Sequence, residues 1–319
     1  AALTASRDPA LRGSLLGIGC TASLASDRPK RGPHRVHLAC QSAAATLTVS
    51  LDLLKVARER AEEERVAADL ILALIAEGCG LGRVDARGSL VEAQSPGTRL
   101  QVALLDGESI QATRTLAPAT WRDLLAGRAA AVWEQRGQRG TIDDPPQPRP
   151  GALYPGAFHP LHAGHREIVR LGAARLQLPV AYELSVENVD KPPLDYTEIQ
   201  QRLAQFDSED VVWLSRAATF VEKARLFPGT TFLVGIDTLV RIADRRYYQG
   251  SETLRDAALA KLAEADCRFL VFGRVDEGEF PPRADAVLRA AWRALDAGVS
   301  EREFRQDISS TQLRREQDN

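Results

Sequence analysis

Three of the chain's five histidines fall in one short segment, YPGAFHPLHAGH, running from Tyr154 to His165. His159, His162 and His165 are spaced three apart, and Pro155, Gly156 and Pro160 set a turn before them. Gly156 and Gly164 let backbone N–H groups come close to a ligand, because neither carries a Cβ. An apolar run precedes the turn, and a helix is expected from about Gly164–His165. The first N–H groups of such a helix, with the positive end of its dipole, suit a bound phosphate. Three chemistries fit these residues: a capped strand–helix turn with solvated histidines, a metal held by the three imidazoles, or a phosphate-handling site. Against the metal, Pro and Gly break the regular helix that would align the rings. No Cys or second carboxylate joins them locally either.

The elements that position this turn follow from hydrophobic spacing. Short apolar runs predict strands at Ala152–Tyr154, Val180–Val186, Val211–Leu214, Thr231–Gly235 and Phe269–Phe272. Between them, helices are expected over His165–Leu176, Glu198–Phe206, Phe220–Phe227, Thr238–Tyr247, Glu252–Ala265 and Ala284–Ala297, with a last one starting near Ser310. Asp195 with Glu198 has the spacing of a capping box. Repeated strand–helix units of this length imply a parallel sheet covered by helices on both faces, an α/β fold. Ligands bind such sheets beyond the carboxyl ends of the strands, which gathers Tyr154–His165, Ser185–Lys191 and Gly235–Asp237 around one crevice.

Two domains fit the 319 residues. The stretch EQRGQRGTIDDPPQPRP near residues 135–150 reads as a connection, dividing residues 1–140 from residues 150–319. In the first half, Ser14–Cys20, Arg35–Cys40 and Thr46–Leu53 read as strands. Lys55–Cys79 reads as a long helix with Val56, Val66, Leu70, Ile71, Leu74 and Ile75 on its apolar stripe. Residues 83–133 are expected to hold two or three short strands and a helix near Trp121–Trp133. The loop Arg28–Arg31, with His34 and Arg35, reads either as a phosphate contact or as a solvated basic turn.

Composition excludes several classes. Hydrophobic residues make up 44% and charged residues 26%, so the chain is globular rather than disordered throughout. A formal net charge of −2 gives no expectation of nucleic-acid binding. No run approaches the roughly 18 apolar residues of a spanning helix, and the opening residues have no apolar core of a signal peptide. The four cysteines form no CxxC and are read as buried thiols, so a cytoplasmic location is expected.

GAFHPLHAGH resembles the G-x-F-x-P-x-H-x-G-H signature of the HxGH nucleotidyltransferase superfamily, and ISSTQLR (Ile308–Arg314) resembles its ISSTxxR motif. SVENVDK (Ser185–Lys191), GIDTL (Gly235–Leu239) and FLVFGR (Phe269–Arg274) are similar to segments of the nicotinamide and nicotinate mononucleotide adenylyltransferases. One departure stands out. Where those enzymes often place a Trp that stacks on the pyridine ring, this chain has RIADRRYY, with Arg245, Tyr247 and Tyr248. The first half, over LLGIGCTASLASDRPKRGPHRVHLACQSA and the helix after it, resembles part of the CinA-type nicotinamide-nucleotide amidohydrolase domain.

The resemblance implies a Rossmann-like doubly wound parallel sheet preceded by an α/β, partial CinA-like domain. It implies transfer of AMP from ATP to a mononucleotide phosphate, with Mg²⁺ carried on the nucleotide phosphates and no dedicated metal residues. On it, His162 and His165 hold the α-phosphoryl group, and Ser309, Ser310 and Thr311 meet the β- and γ-phosphates. Arg314 adds a cation, and Lys191 contacts the acceptor phosphate or the triphosphate. Gly156, Phe158, His159 and Gly164 shape the nucleotide site, and Asp237 accepts hydrogen bonds from a ribose or base or else caps the helix after it. The alternatives are cytidylyl transfer to a phosphorylated alcohol and a non-catalytic nucleotide sensor. Small nucleotides are the expected partners, without a membrane, and self-association is compatible with an incomplete first domain.

Overall fold

The computed structural model describes residues 15–28, 31–91, 100–189 and 192–272. The expected helices at Ala284–Ala297 and near Ser310 lie outside these residues. The chain divides into two compact units between Ala126 and Gly127.

The first unit is a two-layer structure. Strands β1 (Gly17–Ser23), β2 (His34–Gln41), β3 (Ala45–Leu53) and, later in the chain, β6 (Ile110–Leu116) form an antiparallel sheet in the order β1-β2-β3-β6. Helix α1 (Arg60–Gly78) covers one face, with Val66, Leu70, Ala73 and Leu74 against Val36, Leu38, Val49 and Leu51. The short pair β4 (Arg83–Val84) and β5 (Leu90–Val91) follows α1. The pairing in this sheet is antiparallel throughout, so this half is not built from the parallel βαβ units that an α/β domain uses. The expected helix from Lys55 starts five residues later, after Glu59 as N-cap. Val56 is 95% exposed at φ 62°, outside the helix and off the stripe assigned to it.

Helix α2 (Ala119–Leu125) is a single short element, and the expected helix to Trp133 does not form. Ala131–Gln135 is instead strand β7, paired antiparallel with a strand of the second unit, Trp133 opposite Trp213. Arg136 and Gly137, both at positive φ, turn the chain into β8 (Gln138–Thr141). A two-residue loop with two left-handed residues matches the twist of a hairpin. The first part of the presumed connection is therefore sheet, and the division between units falls before it.

The second unit is α/β. Its core strands are β9 (Ala152–Pro155), β10 (Val180–Ser185), β11 (Val212–Ser215), β12 (Thr231–Gly235) and β13 (Arg268–Phe272). The sheet runs β13-β12-β9-β10-β11-β7-β8, parallel except for the hairpin at one edge. The intervening helices are α3 (Ala163–Leu176), α4 (Tyr196–Leu203), α5 (Phe220–Leu226), α6 (Ile236–Ala243) and α7 (Glu252–Glu264), with a 3₁₀ turn at Arg245–Tyr248. Both faces of the sheet are covered. Phe232, Val234, Phe269 and Val271 pack with Leu259 and Leu262 of α7. On the opposite face, Leu233 meets α3 at Gly172, where any Cβ would collide with the leucine side chain. Alternation along β12 thus delivers its residues to two helical layers.

Strand order decides where a ligand fits. The first core strand, β9, is central; the chain builds outward to β10 and β11, then returns to β12 on the other side of β9. The loops leaving β9 and β12 therefore diverge to opposite faces, the arrangement at which α/β sheets bind ligands beyond their carboxyl ends. No helix among the described residues is long and apolar enough to cross a membrane.

Candidate functional site

The turn after β9 is built around Phe158. Its ring is 1% exposed and makes edge contacts with Tyr154, Tyr182 and Phe206 at centroid distances of 5.7, 5.3 and 5.4 Å. To reach that pocket, Phe158 takes φ 46°, a conformation L-residues avoid, and burial of the ring offsets the cost. The ring folds back over Gly156, where a Cβ would lie 2.5 Å from its edge. Gly156 is thus required by close approach inside the turn, and its N–H donates to the Glu183 carbonyl of β10 at 2.9 Å.

The turn is clamped from the end of α4. The Gln205 side chain accepts from Leu161 N–H at 2.7 Å and donates to the Phe158 carbonyl at 3.1 Å. Arg202 donates to the Ala157 carbonyl at 3.0 Å. Arg166, in the first turn of α3, pairs with Asp207 at 2.6 Å and with Asp210 at 3.2 Å. The sequence reading missed Gln205, Arg202 and Phe206. Their types carry no local signal; only their position against the turn gives them a role.

His162 and His165 form the two ends of a capping box. His162 is the N-cap of α3, and its Nδ1 accepts from Gly164 N–H at 3.1 Å. His165, at the third helical position, returns the bond: its Nδ1 accepts from His162 N–H at 3.2 Å. Imidazole thus stands where Ser and Glu usually stand in this motif. A ring nitrogen that accepts a backbone N–H carries no proton, so each neutral ring is an Nε2–H tautomer. The rings stack at 3.7 Å with 24° between their planes, and His165 rests edge-on against Phe158 at 5.4 Å. Burial, then the neighbouring His162, pushes the His165 pKa down to about 4; burial also lowers that of His162. At neutral pH the pair is two uncharged N–H donors, side by side at a helix N-terminus.

Of the other expected residues, Gly164 is buried in the first turn and His159 is exposed just before Pro160. Asp237 lies in the first turn of α6, exposed, and does not cap it; Gly235 holds the N-cap position. Its carboxylate forms no hydrogen bond with any described residue. Parallel pairing of β12 with β9, Thr231 beside Ala152 and Phe232 beside Leu153, carries Gly235 to the level of Gly156 when continued. Asp237 and the histidine turn therefore both lie just beyond the carboxyl ends of the neighbouring strands β12 and β9. Lys191, Ser309, Ser310, Thr311 and Arg314 lie outside the described residues.

Two readings from the sequence lose support. Among the described residues no group of three or more His, Cys, Asp or Glu is placed to hold a metal ion, and both Nδ1 atoms of the pair are already engaged. In the first unit, His34 turns into the core and bonds Glu63 Oε1 at 2.7 Å, away from a ligand in the basic loop. In the segment RIADRRYY, Tyr248 is half-buried and donates to the Ile242 carbonyl at 2.8 Å, Tyr247 is 39% exposed, and Arg245 pairs loosely with Glu252 at 3.8 Å. No family model matches the sequence, and no curated protein or solved structure matches it either.

Proposed function

We propose that this chain is a nucleotidyltransferase that moves AMP from ATP, as its Mg²⁺ complex, to a mononucleotide phosphate. Nicotinamide or nicotinate mononucleotide is the proposed acceptor. The observation that carries the reading is the His162–His165 pair: two neutral Nε2–H donors fixed at the N-terminus of α3, beside the point where strand order reverses. The order of the five core strands is also that of Rossmann-like doubly wound sheets. The resemblance of GAFHPLHAGH and ISSTQLR to the HxGH superfamily motifs supports the same reading.

In the proposed reaction an acceptor phosphate oxygen attacks the α-phosphorus in line. The Pα–O bond to the β-phosphate breaks, and pyrophosphate leaves with its electron pair. The nucleophile is already an anion, so positioning and charge stabilisation do most of the work. His162 and His165 donate to the non-bridging α-oxygens, whose charge grows in the transition state. Ser309, Ser310 and Thr311 bind the β- and γ-phosphates, and Arg314 and Lys191 supply cations. Asp237 accepts from a ribose hydroxyl or a base, a role its unengaged carboxylate favours.

The test is pyrophosphate release by the purified chain with Mg²⁺, crossing ATP and CTP against nicotinamide mononucleotide, nicotinate mononucleotide and glycerol 3-phosphate. Release with ATP and a pyridine mononucleotide is the expected result. Release with CTP and glycerol 3-phosphate alone would replace it with the cytidylyl reading. ATP binding without release from any pair would replace it with the sensor.

A further inference from the structure

In the second unit, a buried ion pair lies outside the histidine turn. Glu183, in β10, is fully buried, and Lys223, in α5, is 4% exposed. The pair is saturated. Glu183 Oε2 accepts from Lys223 Nζ at 2.7 Å, and Glu183 Oε1 accepts from Ser215 Oγ at 2.5 Å. Lys223 Nζ also donates to Ser185 Oγ and to the Ala217 carbonyl, each at 2.9 Å. Ser215 Oγ accepts from Ala217 N–H at 3.2 Å, and Ser185 Oγ donates to the Ala217 carbonyl.

Such a pair is a poor source of stability, since well-packed apolar residues of the same size often do as well. What it supplies is geometry. Ser185 and Ser215 are the last residues of β10 and β11, and Ala217 lies in the loop that follows. The network therefore pins together the two carboxyl-end loops next to the histidine turn. A second bridge lies further along the chain. Arg216 Nε donates to Glu187 Oε1 at 2.7 Å, and both side chains are about one-fifth exposed. Arg216 N–H is itself held by the Ala130 carbonyl at 3.0 Å, and Val186 N–H by the Ser215 carbonyl at 2.8 Å.

We infer that the Glu183–Lys223 network, with the Arg216–Glu187 bridge, is a positioning device that fixes residues 186–189 for the acceptor nucleotide and not for ATP. The inference rests on the proposed adenylyl transfer, in which the phosphates of ATP belong to the histidine turn. The loop leaving β10 is the neighbouring wall of the carboxyl edge, and the second substrate is assigned to it.

The experiment compares the wild-type chain with Glu183→Leu/Lys223→Met, which removes both charges together, and with Arg216→Gln, which leaves the core intact. The double variant is expected to raise the acceptor KM about tenfold while kcat and the ATP KM stay within about threefold. Arg216→Gln is expected to shift the acceptor KM in the same direction by less, and it carries the comparison if the double variant does not fold. Hydrogen exchange supplies a readout independent of activity. The Val186 and Leu194 amides should exchange faster in the variants, while those of α3 stay at the wild-type rate. An ATP KM that rises as much as the acceptor KM, or loop amides that exchange as in the wild type, would overturn the inference. A wild-type chain that transfers no AMP would overturn the proposed function, and the exchange comparison would then decide the loop's anchoring by itself.

Discussion

Replacing His165 by alanine removes three things whose sizes differ enough to be told apart. The first is the capping bond from His162 N–H to Nδ1, at 3.2 Å. Loss of such a cap costs about 1 kcal/mol. The second is the ring's packing against Phe158 and its stack on His162. For a half-buried ring this adds roughly 1 kcal/mol. The protein should therefore stay folded, with its melting temperature lowered by only a few degrees. The third, on the proposed function, is an Nε2–H donor to the α-phosphoryl oxygens. Loss of one preorganised donor to developing charge costs on the order of 10²–10³ in turnover, or about 2.7–4 kcal/mol. Because the bond strengthens in the transition state, kcat and kcat/KM should fall together. The assay is steady-state pyrophosphate release, with circular dichroism and thermal melts on the same preparations. A loss below threefold in a folded variant would refute the assigned role. So would a loss wholly in KM, since that would make the histidine a ground-state binding group.

Three further outcomes follow from the same geometry. Burial, with His162 beside it, holds the His165 pKa down to about 4, below its ordinary value of 6.5, so between those values the unfolded chain holds a proton that the native chain does not. Stability should accordingly fall as pH drops through that window and level off above it; a His165→Gln variant with the wild-type pH slope in denaturant titrations would contradict the assignment. Gly156→Ala drives a Cβ to 2.5 Å from the Phe158 ring, and should cost roughly 1–3 kcal/mol by chemical denaturation, with loss of activity. A variant of unchanged stability would mean the turn is looser than described. Asp237→Ala should leave the melting temperature within a degree or so, since the carboxylate engages no described residue, yet raise one nucleotide KM about tenfold. An unchanged KM for both substrates would remove Asp237 from the site.

The parallel core of the second unit was legible because each strand is a short apolar run bounded by Gly, Pro or charge. Ala152–Pro155 before Gly156, and Thr231–Gly235 after Gly229, are the clearest cases. The hairpin β7–β8 was not legible. Ala131, Val132 and Trp133 follow an alanine-rich stretch and read as helix; what makes them a strand is the partner β11, with Trp213 opposite Trp133, far along the chain. Tertiary pairing overrides local preference there. The start of α3 was placed too late for a different reason. His162 is not among the residues that usually cap helices, so the cue pointed to Gly164–His165. The clamp by Gln205 could not be read at all, because a glutamine at a helix end bonding the backbone of a distant turn leaves no pattern in the sequence.

That late start carries a physical point about the spacing itself. A capping box requires its two side chains at the N-cap and the third helical position, and His162 and His165 occupy those places. The requirement consumes both Nδ1 atoms on backbone N–H groups of the same turn. Each ring is then left with its proton on Nε2. Local folding thus sets both the tautomer and the orientation of each donor. A Ser and a Glu at these positions would start the helix equally well, but they would present no paired N–H groups to an anion. The histidines are therefore unnecessary for the fold of α3. On the proposed function, two neutral donors held side by side at a helix N-terminus serve the oxygens of a phosphoryl group.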